Sequence, residues 1–237
     1  MNIVFRQLFD EHSATLTYLL ADPVSGDAVL IDTVREHTGR YLTELQEMNL
    51  QLLWVLETHV HADHITGAAG LREVTGARTV TSAAAGASCA DVQVGDGDTI
   101  VFGSEVIRVI PTPGHTPGCV TYQWRDRLFT GDALLIGACG RTDFQGGDAG
   151  RLYDSVTSRL FTLHDETLVY PGHDYNGRRV SCIGQERATN TRLAGRTREE
   201  FIALMNSLEL PPPRRIDEAL PANMQCGRDP ITDIHAA

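Results

Sequence analysis

The sequence has no long apolar run and a deficit of positive charge, and each of these absences excludes a class of protein. No apolar stretch among its 237 residues approaches the roughly 20 residues that a membrane-spanning helix needs. Lysine and arginine total 20 against 31 aspartates and glutamates, a formal net charge of −11, which argues against a nucleic-acid-binding surface. The amino-terminal segment lacks the basic region of a secretory signal and the arginine-rich composition of a transit peptide, so we expect a cytoplasmic protein.

Cysteine is also scarce, and its spacing carries no pairing motif. The five cysteines are Cys89, Cys119, Cys139, Cys182 and Cys226. Their odd number and the lack of a C-x-x-C pair predict no disulfide framework and fit a reducing compartment. Cys139 could line a pocket, but we assign it no catalytic role.

Apolar periodicity predicts short strands interspersed with helices. "NIVFRQLF", "DAVLIDT" and "QLLWVLETH" read as strands, whereas "TREEFIALMNSL" has the apolar spacing of a short helix. This pattern indicates an α/β fold in which helices cover sheets. We expect one domain over residues 1–237, with a short proline-rich segment of irregular structure from about residue 208.

Side chains that bind metal ions cluster in "THVHADHITG", residues 58–67, which holds His59, His61, Asp63 and His64. Three more such residues directly follow apolar runs later in the chain, and each has a glycine beside it: His115, Asp132 and His173. Because loops at one edge of a sheet usually carry the site in α/β proteins, we expect these seven side chains to converge. Glycine there permits tight turns and close backbone approach. Imidazole and carboxylate groups suit a borderline divalent ion such as zinc or iron(II).

The ligand types leave two kinds of reaction open. A zinc pair with a bridging hydroxide would hydrolyse an ester or an amide. A single iron(II) held by two histidines and one carboxylate would leave three coordination positions for O₂ and a substrate. The spacing of the residues does not choose between them.

Five motifs narrow the choice by resemblance: "THVHADHITG", "PGHTPGCVTY", "FTGDALLIGACGRTDFQGG", "YPGHDYNG" and "LPPPRRIDEALPANMQCG". Together they resemble the persulfide dioxygenase family, the sulfur dioxygenases of the ethylmalonic encephalopathy type, within the metallo-β-lactamase superfamily. The first motif marks only the superfamily, whereas "CGRTDFQ" combined with the last motif is much more specific. The resemblance covers residues 5–227, nearly the whole chain.

The resemblance implies an αββα sandwich and one iron(II) per chain rather than a zinc pair. The implied iron ligands are His59, His115 and Asp132. Four more residues match positions that bind metal in hydrolytic relatives, and here they are implied to orient the ligands and to move protons: His61, Asp63, His64 and His173. A second metal beside Asp63, His64 and His173 stays open.

The implied reaction oxidises glutathione persulfide with O₂ and water to glutathione and sulfite. Because glutathione carries carboxylates, we expect arginines to bind it, Arg141 first and Arg214 second. Tyr175 could donate a hydrogen bond to the substrate. Each of the three also has a structural interpretation, as a salt bridge, an exposed charge or a packed aromatic ring. Relatives suggest a homodimer.

Two other functions compete with this interpretation. The first is a binuclear zinc thiolester hydrolase of the glyoxalase II kind, whose longer helical carboxy-terminal region has no counterpart in the short segment after Arg196. The second is a non-catalytic protein that binds metal or responds to sulfide on the same scaffold. An intact ligand triad with open positions argues against the second.

Overall fold

The computed structural model describes residues 3–213 and 215–228, and these residues form two compact units. The first unit lies within residues 1–94, 101–105 and 212–237, and the second within residues 95–100 and 106–211. Each unit has its own core of buried apolar side chains. None of the described helices is long and apolar enough to cross a membrane.

The first unit is built on a mixed six-stranded sheet. Its strands, in spatial as well as chain order, are β1 (Val4–Phe9), β2 (Leu16–Ala21), β3 (Asp27–Ile31), β4 (Gln51–Leu56), β5 (Arg78–Ser82) and β6 (Val92–Val94). The first three strands pair antiparallel, and β3 to β6 run parallel. Parallel neighbours need crossover connections, and two of these contain helices, α1 (Thr38–Glu47) and α2 (Ala68–Thr75).

The core of the first unit follows from the periodicity of its elements. Every residue of β2 is buried, as expected of a strand covered on both faces. On α1, Tyr41 and Leu45 are four residues apart and therefore share the buried face. They pack with Leu30 of β3 and Leu71 of α2 in one apolar cluster. Burial of each leucine-sized side chain contributes about 1.5–3 kcal/mol.

The proline-rich segment contains a helix, so the expectation of irregular structure there is wrong. Helix α6 (Ile216–Asn223) begins after the prolines at 211–213 and contains Pro221. Asp217 and Glu218 lie in its first turn, where acidic side chains interact favourably with the helix dipole. Its apolar face buries Ala219 and Ala222 against Ile65. This packing stabilises the helix despite the amide hydrogen that Pro221 lacks.

One disulfide, between Cys89 and Cys226, corrects the expectation from the cysteine count. Its two Cα atoms are 5.8 Å apart, and 137 positions separate the residues along the chain. A separation of that size leaves no local motif, and an odd count does not exclude a single pair. The remaining cysteines, Cys119, Cys139 and Cys182, form no disulfide.

The second unit contains most residues of the other mixed sheet. Its strands are again adjacent in chain order: β7 (Thr99–Phe102), β8 (Glu105–Pro111), β9 (Val120–Trp124), β10 (Arg127–Gly131), β11 (Leu168–Pro171) and β12 (Ser181–Cys182). Strands β8 to β10 pair antiparallel, β10 and β11 pair parallel, and β12 returns antiparallel. Two-residue turns, at residues 103–104 and 125–126, join β7 to β8 and β9 to β10.

Three helices accompany this sheet: α3 (Ala149–Ser155), which continues as a π-helical turn over Val156–Leu160, then α4 (Ile183–Thr189) and α5 (Arg198–Asn206). The parallel crossover from β10 to β11 carries α3. Thr197 and Glu200 form a capping box at the start of α5, which satisfies two otherwise unpaired backbone donors. The three strands and one helix predicted from the sequence correspond to β1, β3, β4 and α5.

Candidate metal centre

In the first unit, the histidine loop, residues 57–67, begins where β4 ends. Strand β3 runs parallel to β4 and ends one residue before Asp32, so that residue reaches the same edge of the sheet. The Asp32 carboxylate accepts hydrogen bonds from the Thr58 backbone N at 2.7 Å and from its Oγ1 at 2.8 Å. Asp32 therefore fixes the start of the histidine loop.

The hydrogen bond from the Thr58 hydroxyl to Asp32 also determines which ring nitrogen of His59 can bind a metal ion. Because the Thr58 hydroxyl donates to Asp32, it can accept the Nδ1 hydrogen of His59, 3.0 Å away. An imidazole that donates from Nδ1 keeps the Nε2 lone pair for a metal ion. His59 is buried, with 4% of its surface exposed, so this lone pair is shielded from bulk water. The surroundings of His59 are those of a metal ligand.

His61, two residues later, has different surroundings. Its Nε2 lies 3.2 Å from Asp32 Oδ1 and 3.3 Å from Glu57 Oε2, and all three side chains are buried. Burial opposes a charge on the ring, but the two carboxylates outweigh it and raise the pKa of His61 to about 10. The structure therefore places His61 against two buried carboxylates, those of Asp32 and Glu57.

Asp63 and His64 interact with each other and with Thr15. Asp63 Oδ2 lies 3.0 Å from His64 Nδ1, and Thr15 Oγ1 lies 3.2 Å from the same nitrogen. The His64 ring is 1% exposed, whereas the Asp63 side chain is 29% exposed. Ligand atoms of His61, Asp63 and His64 lie within 4.8 Å of one another.

In the second unit, three strand ends bring His115, Asp132 and His173 together. Asp132 follows β10 and His173 follows the parallel strand β11, and the His173 Nδ1 lies 2.7 Å from Asp132 Oδ1. The other carboxylate oxygen, Oδ2, lies 3.6 Å from Nε2 of His115. The orientation of the His115 ring is fixed by its other nitrogen, because Nδ1 donates to the Arg141 carbonyl at 2.7 Å. His115 Nε2 and Asp132 Oδ2 are therefore placed to share an ion, while His173 holds the carboxylate.

Two of the three residues predicted to bind substrate, Arg141 and Tyr175, lie in the second unit. The Arg141 guanidinium forms a two-point ion pair with Asp143 and donates to the carbonyls of Leu210 and Pro211. Tyr175 is 72% exposed, and its ring is parallel to that of His173, with the centroids 6.2 Å apart. The third residue, Arg214, lies outside the described residues.

Cys139 packs in the interior. Its side chain belongs to the apolar core of the second unit, where burial raises the pKa of the thiol to about 11. A thiol with so high a pKa is a poor nucleophile near neutral pH. This fits the absence of a predicted catalytic role.

Asp32, Glu57 and Thr58 were not predicted as site residues. They contact His59 and His61 or each other. Asp32 carries part of the signal that identified the other residues, since it directly follows the apolar run "AVLI". Thr58 had no such signal, because hydroxyl side chains are common in loops. Only the contact between Thr58 and Asp32 shows its role.

Comparison with known proteins places the chain in a family. The model of the metallo-beta-lactamase superfamily matches residues 12–173. Persulfide dioxygenase ETHE1, mitochondrial, of Mus musculus is 50% identical over 228 residues, which cover 95% of this chain and 89% of the mouse protein. The crystal structure of ETHE1 from Myxococcus xanthus shares 55% identity with a TM-score of 0.94, covering 95% of this chain and 100% of that chain.

A relative of the glyoxalase II kind is also similar to this chain. Hydroxyacylglutathione hydrolase of Anaeromyxobacter dehalogenans is 37% identical over 160 residues, which cover 67% of this chain and 61% of that protein. It is a more distant relative and matches a smaller share of the chain. The expected fold class, an α/β sandwich of the metallo-β-lactamase type, is confirmed by the family match and by the Myxococcus structure. The chain belongs to the persulfide dioxygenase family of the metallo-β-lactamase superfamily.

Proposed function

We propose that the protein is an iron(II)-dependent dioxygenase that oxidises glutathione persulfide with O₂ and water to glutathione and sulfite. The observation that carries this proposal is 50% identity, over 95% of the chain, to a protein named persulfide dioxygenase. The reaction balances, because the outer sulfur of the persulfide leaves as sulfite with three oxygen atoms, two from O₂ and one from water. The inner sulfur remains as the thiol of glutathione.

We propose His59, His115 and Asp132 as the iron ligands. The geometry within each unit supports them, because the Nδ1 of each imidazole faces an acceptor oxygen, which directs Nε2 as the metal-binding nitrogen, and His173 holds Oδ1 of Asp132. Two neutral imidazoles and one carboxylate form the donor set of non-haem iron(II) oxygenases. When bound, iron supplies a redox partner and open positions for both reactants.

The surrounding residues hold this donor set and handle protons. His173 holds the carboxylate of Asp132, and Asp32 fixes the tautomer of His59 through Thr58. Asp63 is the partly exposed member of the Asp63–His64 pair, so it can pass protons between solvent and the buried imidazole. Such a route is useful because a water molecule is consumed and acidic products form.

Reconstitution of the metal-free protein tests the proposed function. We expect iron(II) to give O₂ uptake with glutathione persulfide, and we expect zinc to give none, because zinc has no redox chemistry. Hydrolysis of S-lactoylglutathione by the zinc-loaded protein would instead support the thiolester hydrolase. A protein that retains iron and consumes no O₂ with any low-molecular-weight persulfide would support the binding protein.

We further propose that Arg141 contributes to persulfide binding. The guanidinium has a side-chain exposure of 15%, and its loop is tied to the site through the bond from His115 to the Arg141 carbonyl. Replacing Arg141 with alanine should raise KM for the persulfide by about tenfold or more, the usual size of a lost charge-assisted hydrogen bond. The iron content should change less.

The matched control for this prediction is Arg151→Ala, which removes an exposed arginine of the same unit. Steady-state kinetics and iron analysis of both variants decide the role of Arg141. Iron loss with an unchanged KM would show that the bonds to Asp143, Leu210 and Pro211 serve only the structure.

Tyr175 and Arg214 are proposed to contact the substrate, and the chain is proposed to act as one catalytic domain and as a homodimer. The family match over residues 12–173 draws on both units and supports a single domain. We also propose the cytoplasm as its compartment, although the disulfide Cys89–Cys226 is unusual for a reducing environment.

A further inference from the structure

Asn223, the last residue of α6, makes three hydrogen bonds to the backbone of the histidine loop. Its Nδ2 donates to the carbonyls of His61 at 2.9 Å and His64 at 2.8 Å. Its Oδ1 accepts from the Thr66 backbone N at 2.9 Å. The side chain is 5% exposed, so these bonds form in an environment where an unpaired polar group is costly.

We propose that Asn223 is a positioning residue for the metal centre, which sets the backbone of the histidine loop so that His59 presents its Nε2 to the ion. This inference rests on the proposed iron site. The amide suits this task because it provides two donors and one acceptor, and all are used. The carbonyls that accept hydrogen bonds from Asn223 lie two and five residues after His59. These bonds therefore fix the turn that carries the proposed ligand His59.

Other contacts hold α6 and the residues after it against the same loop. Ile65 packs on Ala219 and Ala222. The Ala69 backbone N donates to the Cys226 carbonyl at 3.0 Å, and Cys226 is itself fixed by its disulfide to Cys89. Asn223 therefore belongs to a set of contacts that joins α6 and the residues after it to the histidine loop.

Gly227 shows how closely the two segments approach. Its φ is +89°, and a Cβ added there would lie 2.2 Å from the Thr66 carbonyl oxygen. The carboxy-terminal segment and the histidine loop are therefore in backbone contact, with no room for a side chain between them. This closeness explains why a side chain as short as asparagine reaches two carbonyls at once.

The test uses Asn223→Asp, which keeps the shape of the side chain but replaces both donors with acceptors. Cobalt(II) is the probe, because its visible absorption reports ligand geometry and its binding requires neither persulfide nor O₂. We expect the affinity for cobalt(II) to fall by about tenfold or more, as two lost hydrogen bonds imply, and the visible spectrum to change. The control is Gln225→Glu, the same chemical change at an exposed position two residues away, which should bind cobalt(II) like the original protein.

Asn223→Ala, which removes the amide without adding charge, keeps the test decisive if the aspartate variant does not fold. Thermal unfolding of the metal-free proteins separates folding from positioning. A folded variant with the original cobalt(II) affinity and spectrum would overturn the proposal, whatever its melting temperature. Failure of both variants to fold would also overturn it, because Asn223 would then serve the fold as a whole. If the original protein did not oxidise glutathione persulfide, that result would refute the proposed function but not this inference.

Discussion

Replacing Asp132 with alanine is expected to remove most of the bound iron and nearly all persulfide-dependent O₂ uptake. The substitution deletes the only carboxylate of the proposed ligand set. It also leaves the His173 Nδ1 without the acceptor that it has at 2.7 Å. Changes to residues that merely support metal ligands typically cost about 10- to 100-fold in affinity, so loss of a charged ligand should exceed that range.

Iron content per chain and O₂ uptake, measured on the same preparation, check this prediction. The matched control is Asp96→Ala, which removes an aspartate of the same unit that pairs with Arg159 at the surface. Exposed ion pairs contribute about 0–1 kcal/mol to stability, so this variant should keep its iron and its activity. An Asp132→Ala protein with full iron and full O₂ uptake would show that the ligand assignment is wrong.

The second large effect is expected from Gly114→Ala, in the turn that carries His115. Gly114 has φ of +143°, and an added Cβ would lie 2.3 Å from the backbone N and Cα of Leu152. The backbone of helix α3 cannot yield as a flexible side chain would, so the turn must move away from the helix. Overpacking of this kind typically costs about 1–3 kcal/mol and occasionally more, to which the strained φ adds about 1–3 kcal/mol.

Thermal or denaturant unfolding of the metal-free protein measures this effect. Gly97→Ala is the control, because Gly97 also has a positive φ, +78°, but nothing lies within 4 Å of its added Cβ. That variant should lose only the smaller conformational contribution to the free energy of unfolding. Equal destabilisation of the two variants would show that the contact with Leu152 is unimportant.

The positions of Asp132, His115 and His173 could be predicted because strand ends carry a strong signal. An apolar run followed by a glycine and a metal-binding side chain places that side chain at a sheet edge, and parallel pairing of β10 with β11 brings Asp132 and His173 together. Asp32 directly follows the apolar run of β3 but has no glycine beside it, so it carries only part of this signal.

The contacts made by α6 could not be predicted from the sequence. Prolines at 211–213 and at 221 indicate broken structure, and the sequence does not show that Ile65, more than 150 positions earlier, packs on this helix. The hydrogen bonds of Asn223 and the disulfide Cys89–Cys226 could not be predicted for the same reason, because both connect segments that are distant along the chain. Arg141 presents a related problem, because its pattern suggested an anion site, while its bonds to the carbonyls of Leu210 and Pro211 appear only in three dimensions.

The stoichiometry of the reaction at graded iron loading tests the central claim most directly. With glutathione persulfide in excess, an oxygen electrode and a sulfite assay should give one sulfite formed per O₂ consumed. Both rates should rise in proportion to iron, up to one iron per chain. Oxygen uptake without sulfite, or rates that follow zinc content instead of iron, would contradict the account.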